Sequence, residues 1–191
     1  PSSPDNPWRI RPHRRAACPR RSAAPLPDWG PLDAPATARP PLRPGPHALG
    51  AVQGCAFGQV RAGDLAAAIT ASGARALRIT PWRVILLKGA IAGAMPGLEW
   101  DAEAPVLRAD ACPGAPFCPQ ASVETRDLAR TLAPHVRGHL HVSGCAKLCA
   151  HPSPADVTLV GDGGTFTLSR PDAPRLTGLL PAQVLAHFGA A

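Results

Sequence analysis

Four cysteines in the C-terminal half of the chain are spaced as a set of metal ligands would be. They form two pairs, in "ACPGAPFC" and "SGCAKLCAHP", with five and three residues inside the pairs and 26 residues between them: Cys112, Cys118, Cys145 and Cys149. Thiolates are soft, anionic ligands that suit zinc and iron–sulfur clusters. The cysteines therefore predict either a metal centre or, in an oxidising compartment, two disulfides.

Three interpretations of these thiols remain open from the residues alone. Disulfides are disfavoured because nothing in the sequence indicates export, and cytosolic thiols stay reduced. Structural zinc sites more often use tighter C-x2-C or C-x4-C pairs. A [4Fe–4S] cluster accepts longer, irregular spacings, and the neighbouring Gly and Pro residues allow backbone amides to point at the sulfurs. The spacing favours the cluster, with zinc and disulfides as alternatives, and we expect Cys18 and Cys55 to be bystanders.

The basic charge is concentrated in residues 1–47, and this distribution limits the classes of protein to which the chain could belong. This segment carries eight of the 20 Lys and Arg residues, three of the 13 acidic residues and thirteen of the 25 prolines, without a sustained apolar period. We predict that it is disordered or extended. The rest of the chain is close to neutral and has no aromatic–basic face, which argues against nucleic acid as a partner. No apolar run approaches the roughly 18 residues of a membrane span, so we expect a cytoplasmic protein.

The segment 48–105 shows a β-α-β pattern. "LGAVQGCAFGQV" predicts a strand, and "AGDLAAAITASG" predicts a helix with Asp64 at its N-cap and Gly73 at its end. "RALRITPWRVILLKG" predicts one strand that bends at Pro81. The pattern indicates an α+β fold.

The segment 106–191 contains the paired cysteines between regular elements. "SVETRDLARTLAP" predicts a helix, "GHLHVSG" a strand, and "DVTLVGDGGTFTLSR" a hairpin that turns on its glycines. "LPAQVLAHFG" predicts a closing helix with Pro181 in its first turn and Gly189 past its end. His139 and His141 alternate along the predicted strand and so share a face, which we interpret as a partly exposed strand face.

The two cysteine segments resemble the iron–sulfur half of the sulfite/nitrite reductase family. Within it, the form "CAKLCAHP" looks like the precorrin-3B synthases, the oxygen-dependent corrin-ring hydroxylases of aerobic cobalamin biosynthesis. "ALRITPWRVILLKG" resembles the ferredoxin-like half-domain of the same family. The resemblance covers residues 48 to about 190 and implies a half-domain at 48–105, followed by a [4Fe–4S] α/β domain at 106–191.

The resemblance implies an oxidoreductase, a monooxygenase that converts precorrin-3A to precorrin-3B with dioxygen and NADH-derived electrons. It implies a [4Fe–4S] cluster on Cys112, Cys118, Cys145 and Cys149, and it allows a separate non-haem iron. An electron-donor reductase would be a partner. Family members have two half-domains, so we expect this chain to be the C-terminal, cluster-bearing portion. A second chain or a preceding region would then complete the tetrapyrrole cleft.

Candidate substrate-binding residues follow from the carboxylates of the tetrapyrrole. Arg78, Arg83 and Lys147 are candidate partners, because guanidinium and ammonium groups match carboxylates. His151 is a candidate for a ring carboxylate or for a non-haem iron. No catalytic residue is assigned.

Two other functions stay open at this point. A sirohaem-dependent sulfite or nitrite reductase is disfavoured by Trp82-Arg83, where reductases tend to have Arg-Gln. A non-catalytic iron–sulfur or zinc module is kept open by Leu148, which stands where a Gly would be expected between two ligands.

Overall fold

Two β-sheets with flanking helices organise residues 40–190, the part of the chain that the computed structural model describes. The strands are β1 Gly45–His47, β2 Gly50–Gly54, β3 Ala76–Ile79, β4 Val84–Lys88, β5 Ala109–Ala111, β6 Leu140–Ser143, β7 Val157–Asp162, β8 Thr165–Arg170 and β9 Ala173–Leu179. The helices are α1 Ala62–Ser72, α2 Arg126–Leu132 and α3 Pro181–His187, with short 3₁₀ turns between elements. The fold is thus α+β, with few helices, as predicted.

The first sheet, sheet A, contains four antiparallel strands in the order β1-β2-β4-β3. Helix α1 ends at Gly73, whose φ of 66° is the left-handed conformation that glycine adopts without a Cβ penalty. An apolar cluster that includes Ala68 of α1 with Ile85 and Leu87 of β4 forms one small core. Helix α1 therefore covers one face of sheet A.

The strand predicted to bend at Pro81 is instead a hairpin. Strands β3 and β4 pair antiparallel, from Ala76 opposite Lys88 to Ile79 opposite Ile85. Pro81 lies in the connecting turn, where the Thr80 hydroxyl donates a hydrogen bond to the Val84 carbonyl over 2.6 Å. Because proline cannot donate to a ladder, it favours a turn here over a kinked strand. The prediction of one bent strand was wrong.

The second sheet, sheet B, has the order β5-β6-β7-β8-β9. Its first three strands are parallel and its last two pair antiparallel, so that β7 and β8 form the predicted hairpin. Strand β9 was not predicted, because its exposed residues lack a clear apolar alternation. Helix α2 is shorter than the predicted helix: the Glu124 carboxylate accepts the backbone N–H groups of Asp127 and Leu128, which starts the helix at Arg126.

The main core lies between sheet B and helices α2 and α3. Alternate residues of the strands point into it, among them Leu140 and Val142 of β6 with Leu159 of β7. The intervening residues of β5 and β6 point to the opposite face of the sheet. That face carries Asp110 and His141, which are register partners.

The described residues begin before the predicted boundary at residue 48. Residues 45–47 form β1 on the edge of sheet A, so the predicted disorder of 1–47 does not extend to them, and residues 1–39 lie outside the described part. Sheet A spans residues 45–88 and sheet B residues 109–179. The domain boundaries themselves stay a prediction. Between residues 40 and 190, no helix combines the length and hydropathy that a membrane crossing requires.

Candidate functional site

The parallel strands β5 and β6 bring Cys112 and Cys145 to the same edge of sheet B. Cys112 follows β5 directly, and Cys145 comes two residues after the end of β6. The carboxyl ends of adjacent parallel strands meet at one edge, so the two cysteine loops start side by side. The backbone N–H of Gly144 donates a hydrogen bond to the Cys112 sulfur over 3.2 Å. This contact joins the two loops.

The loop that carries Cys118 folds back against the second cysteine loop. The Cys118 N–H donates to the Gly114 carbonyl over 2.8 Å, and the Ser122 N–H donates to the Gly144 carbonyl over 3.2 Å. Gly144 has no room for a side chain, since a Cβ there would lie 2.6 Å from the Ala121 Cβ. Close backbone packing therefore holds the loops of Cys112, Cys118 and Cys145 together.

Cys149 is exposed and follows a strained residue. Leu148 adopts φ 53°, the left-handed region in which Gly is the usual residue. This agrees with the expectation of a Gly at that position: the backbone takes the glycine conformation although the residue is Leu. Lys147, a predicted substrate-binding residue, is exposed beside it.

We expect the Leu148→Gly variant to be more stable than the Leu148→Ala variant by about 1 kcal/mol. Both variants remove the half-buried side chain, but only Gly relieves the left-handed backbone strain. Chemical denaturation of the two variants measures the difference. A more stable Ala variant, as expected at an ordinary backbone conformation, would contradict the assignment of strain.

The described thiols do not converge as the ligands of one mononuclear zinc ion would. Tetrahedral zinc with bonds of about 2.3 Å would place its thiolates about 3.8 Å apart. Among the described cysteines, no three have sulfurs within 4.8 Å of one another. A [4Fe–4S] cluster binds each thiolate to a different iron and so needs a wider cage. The amide-to-sulfur hydrogen bond at Cys112 is the kind of contact that stabilises a cluster thiolate.

Cys55 lies apart from this group, in the core of sheet A. Burial raises the pKa of the Cys55 thiol and so favours its neutral form. A neutral, enclosed thiol is a poor ligand. This supports the expectation that Cys55 is a bystander.

A second donor group lies on the polar face of β5 and β6. The Asp110 Oδ2 lies 2.7 Å from the His139 Nε2 and 3.1 Å from the His151 Nδ1. One ligand atom from each residue can be chosen so that all three lie within 4.8 Å of one another. The rings of His139 and His151 stack with centroids 4.3 Å apart. We call Asp110, His139 and His151 the Asp–His group.

His141 completes the polar face next to the Asp–His group. Its ring meets the His151 ring edge-on, with centroids 5.8 Å apart, and its Nε2 has no hydrogen-bond partner among the described residues. Burial lowers the pKa of His141, and the neighbouring His151 adds to this effect. The residue is 1% exposed, so the expectation of a partly exposed strand face is wrong for it.

The predicted substrate-binding residues lie in different parts of the structure. Arg78 is exposed on β3. Arg83 instead points to sheet B, where its guanidinium pairs with the Asp110 Oδ1 over 2.7 Å. His151 belongs to the Asp–His group rather than to an isolated loop. The substrate roles of these residues and of Lys147 stay predictions.

Sequence reasoning missed Asp110 and gave His139 no role. The available signal was an acidic residue between two alanines, just before a cysteine, and an H-x-H pattern on the next predicted strand. Only the parallel pairing of β5 with β6 shows that these residues share one face.

Comparison with known proteins gives one curated sequence relative and one similar solved structure. The chain is 37% identical over 150 residues to a precorrin-3B synthase from Sinorhizobium sp., which covers 66% of this chain and 33% of the relative. It thus spans about a third of the curated relative that it matches. The NirA protein of Mycobacterium tuberculosis has a TM-score of 0.48 and 18% identity, over 80% of this chain and 37% of the other. No family model matches the sequence.

The sequence relative confirms the resemblance noted at the cysteine segments. The chain is homologous to a protein named precorrin-3B synthase, over 150 residues that make up a third of that protein.

Proposed function

We propose that this chain is the metal-binding portion of an oxidoreductase of cobalamin biosynthesis, a monooxygenase that converts precorrin-3A to precorrin-3B. Homology to a protein named precorrin-3B synthase supports the pathway. The observation that carries the proposal is the pair of strands β5 and β6. They present thiols at their carboxyl ends and carboxylate and imidazole donors on one face.

In this proposal the four thiolates of Cys112, Cys118, Cys145 and Cys149 hold a [4Fe–4S] cluster, which transfers electrons one at a time. The Gly144 N–H at the Cys112 sulfur stabilises that thiolate and so helps to set the potential of the bound group. Electrons would come from NADH through a separate reductase. Lys147 is exposed on the second cysteine loop, where it is available to a substrate carboxylate or to such a partner.

The Asp–His group would hold the separate non-haem iron. Two imidazoles and one carboxylate are the donor set of the iron(II) sites that activate dioxygen, and they leave coordination positions open. The half-buried position of the group, with side-chain exposures of 16–31%, reduces access of bulk water. His141 encloses one side of it as a neutral imidazole. Precorrin-3A would lie over this face, with its carboxylates toward Arg78 and Lys147.

Anaerobic loading of the full chain with iron and sulfide tests the cluster. We expect about four sulfides per chain and about one iron more than sulfide, with a cluster EPR signal after dithionite reduction. Cys112→Ala should lose most of the sulfide, because it removes one of the four thiolates. Cys55→Ser is the matched control and should load as wild type does, since Cys55 lies in sheet A.

Other outcomes of that experiment distinguish the proposed monooxygenase from a structural module and from a sirohaem-dependent reductase. Stoichiometric zinc without sulfide in the isolated protein would overturn the cluster and leave a structural module. A sirohaem absorption spectrum would contradict the monooxygenase and favour a sulfite or nitrite reductase. Equal sulfide loss in Cys112→Ala and Cys55→Ser would show that the loss reflects folding and not the ligands, and would contradict the assigned ligand set.

A further inference from the structure

Arg83 reaches from sheet A to the polar face of β5 and β6. It lies at the end of the β3–β4 turn, directly before β4. Its NH1 donates to the Asp110 Oδ1 over 2.7 Å and to the Ala109 carbonyl over 2.9 Å, and its NH2 donates to the Leu107 carbonyl over 2.9 Å. Three acceptors on one short segment therefore fix the plane of the guanidinium.

The two oxygens of Asp110 have different partners. Oδ1 accepts from Arg83, whereas Oδ2 faces both His139 and His151. A carboxylate with both oxygens free can bind a cation in a bidentate manner. With Oδ1 engaged by a guanidinium, only Oδ2 remains for a cation in the Asp–His group.

Contacts with residues that follow β2 fix the backbone of Arg83. Arg83 adopts φ 57°, a left-handed conformation that costs a non-glycine residue free energy. Its carbonyl accepts the Cys55 N–H over 2.8 Å. Its side chain also passes close to Gly58, where a Cβ would lie 3.4 Å from the Arg83 Cγ. The guanidinium therefore extends to Asp110 from a turn whose backbone is fixed.

We propose that Arg83 is a positioning residue for the metal in the Asp–His group. It restricts Asp110 to monodentate binding through Oδ2 and leaves one more coordination position open to an external ligand. The inference rests on the proposed metal role of that group. It differs from the sequence-based expectation that Arg83 contacts a substrate carboxylate, because both terminal nitrogens of its guanidinium already donate to the segment 107–110.

Cobalt(II) is a suitable probe, because the intensity of its visible bands falls as its coordination number rises. Thiolate ligands add near-ultraviolet charge-transfer bands, so binding at the cysteines is seen separately. The full chain is titrated with cobalt(II) as wild type, Arg83→Met and Arg83→Lys. Arg75→Met, an exposed arginine directly before β3, is the matched control.

For Arg83→Met we expect weaker visible bands per bound cobalt, since Asp110 becomes free to bind through both oxygens. The dissociation constant should rise by about 10- to 100-fold, as for other residues that orient a ligand. Arg83→Lys should recover part of the band intensity, because an ammonium can still engage Oδ1. Arg75→Met should match wild type in both measurements.

The outcomes separate this inference from the proposal on which it rests. If wild type binds no cobalt outside the thiols, the Asp–His metal site is wrong and the inference falls with it. If wild type binds and Arg83→Met gives the same bands and affinity, the inference alone is overturned. A purely structural role would lower the melting temperature without changing the bands. Should Arg83→Met fail to fold, as judged by circular dichroism, Arg83→Gly decides, because it removes the guanidinium and suits the left-handed backbone. Unchanged bands in that variant overturn the inference and weaker bands support it.

Discussion

Asp110→Asn should remove cobalt(II) or iron(II) binding at the Asp–His group, with a dissociation constant raised at least about 100-fold. Asp110 supplies the only anionic donor of the group, and its Oδ2 is the atom that both imidazoles face. Changes to residues that merely orient a ligand cost about 10- to 100-fold in metal affinity. Loss of the charged ligand itself should cost no less.

The measurement is an anaerobic cobalt titration followed by visible absorption, with thermal melts of each variant. Asp172→Asn is the control for loss of a carboxylate, because Asp172 is exposed in the turn between β8 and β9. Asp110→Glu keeps the charge and should bind more tightly than Asp110→Asn. An Asp110→Asn protein that melts near wild type and binds cobalt within a few-fold of wild type would refute the site.

The Asp–His group could not be predicted from the sequence because strand pairing creates it. Asp110 and His139 are 29 residues apart, and His151 comes after the second cysteine loop. A period of two places His139 and His141 on one face, but it does not identify the neighbouring strand. The partner is specified by the parallel register of β5 and β6, which a single sequence does not reveal.

Local turn chemistry, in contrast, was readable in part. The prediction of Asp64 as an N-cap was wrong, because α1 begins at Ala62 and Asp64 lies inside its first turn. Gly73 ends α1 in the left-handed conformation, and Pro181 stands in the first turn of α3, both as predicted. In these cases one residue decides the backbone conformation by itself. The prediction for the β3–β4 segment was wrong because Pro81 is compatible with either a bend or a turn. The antiparallel pairing of β3 with β4 requires the turn.

Arg83 shows why residue type alone does not identify the partner of a side chain. A guanidinium near a predicted tetrapyrrole site suits a substrate carboxylate, and the same chemistry suits a protein carboxylate. The structure supplies that carboxylate from Asp110 on the other sheet. The tertiary fold thus supplies a protein partner that the sequence does not reveal, and the substrate role of Arg83 stays a prediction.

Gly144→Ala should largely prevent cluster assembly while the sheets remain folded. A Cβ at this position would lie 2.6 Å from the Ala121 Cβ and 3.3 Å from the Gly114 Cα, neither of which can rotate away. The two cysteine loops would have to separate, at a typical overpacking cost of about 2 kcal/mol. That cost corresponds to roughly a 30-fold shift toward separated loops. The Gly144 N–H contact with the Cys112 sulfur would be lost in the same movement.

Acid-labile sulfide and the reduced EPR signal of anaerobically loaded protein measure this effect, with circular dichroism as the check on folding. Gly63→Ala is the matched control, because Gly63 lies in helix α1 with open space around its Cα. There, Ala should stabilise the helix by about 0.5–1 kcal/mol and leave the sulfide content unchanged. Since both variants add one methyl group, a sulfide loss confined to Gly144→Ala would place the cluster between the two loops. Wild-type sulfide in a folded Gly144→Ala protein would mean that cluster assembly does not depend on close contact between the two loops, and would contradict this prediction.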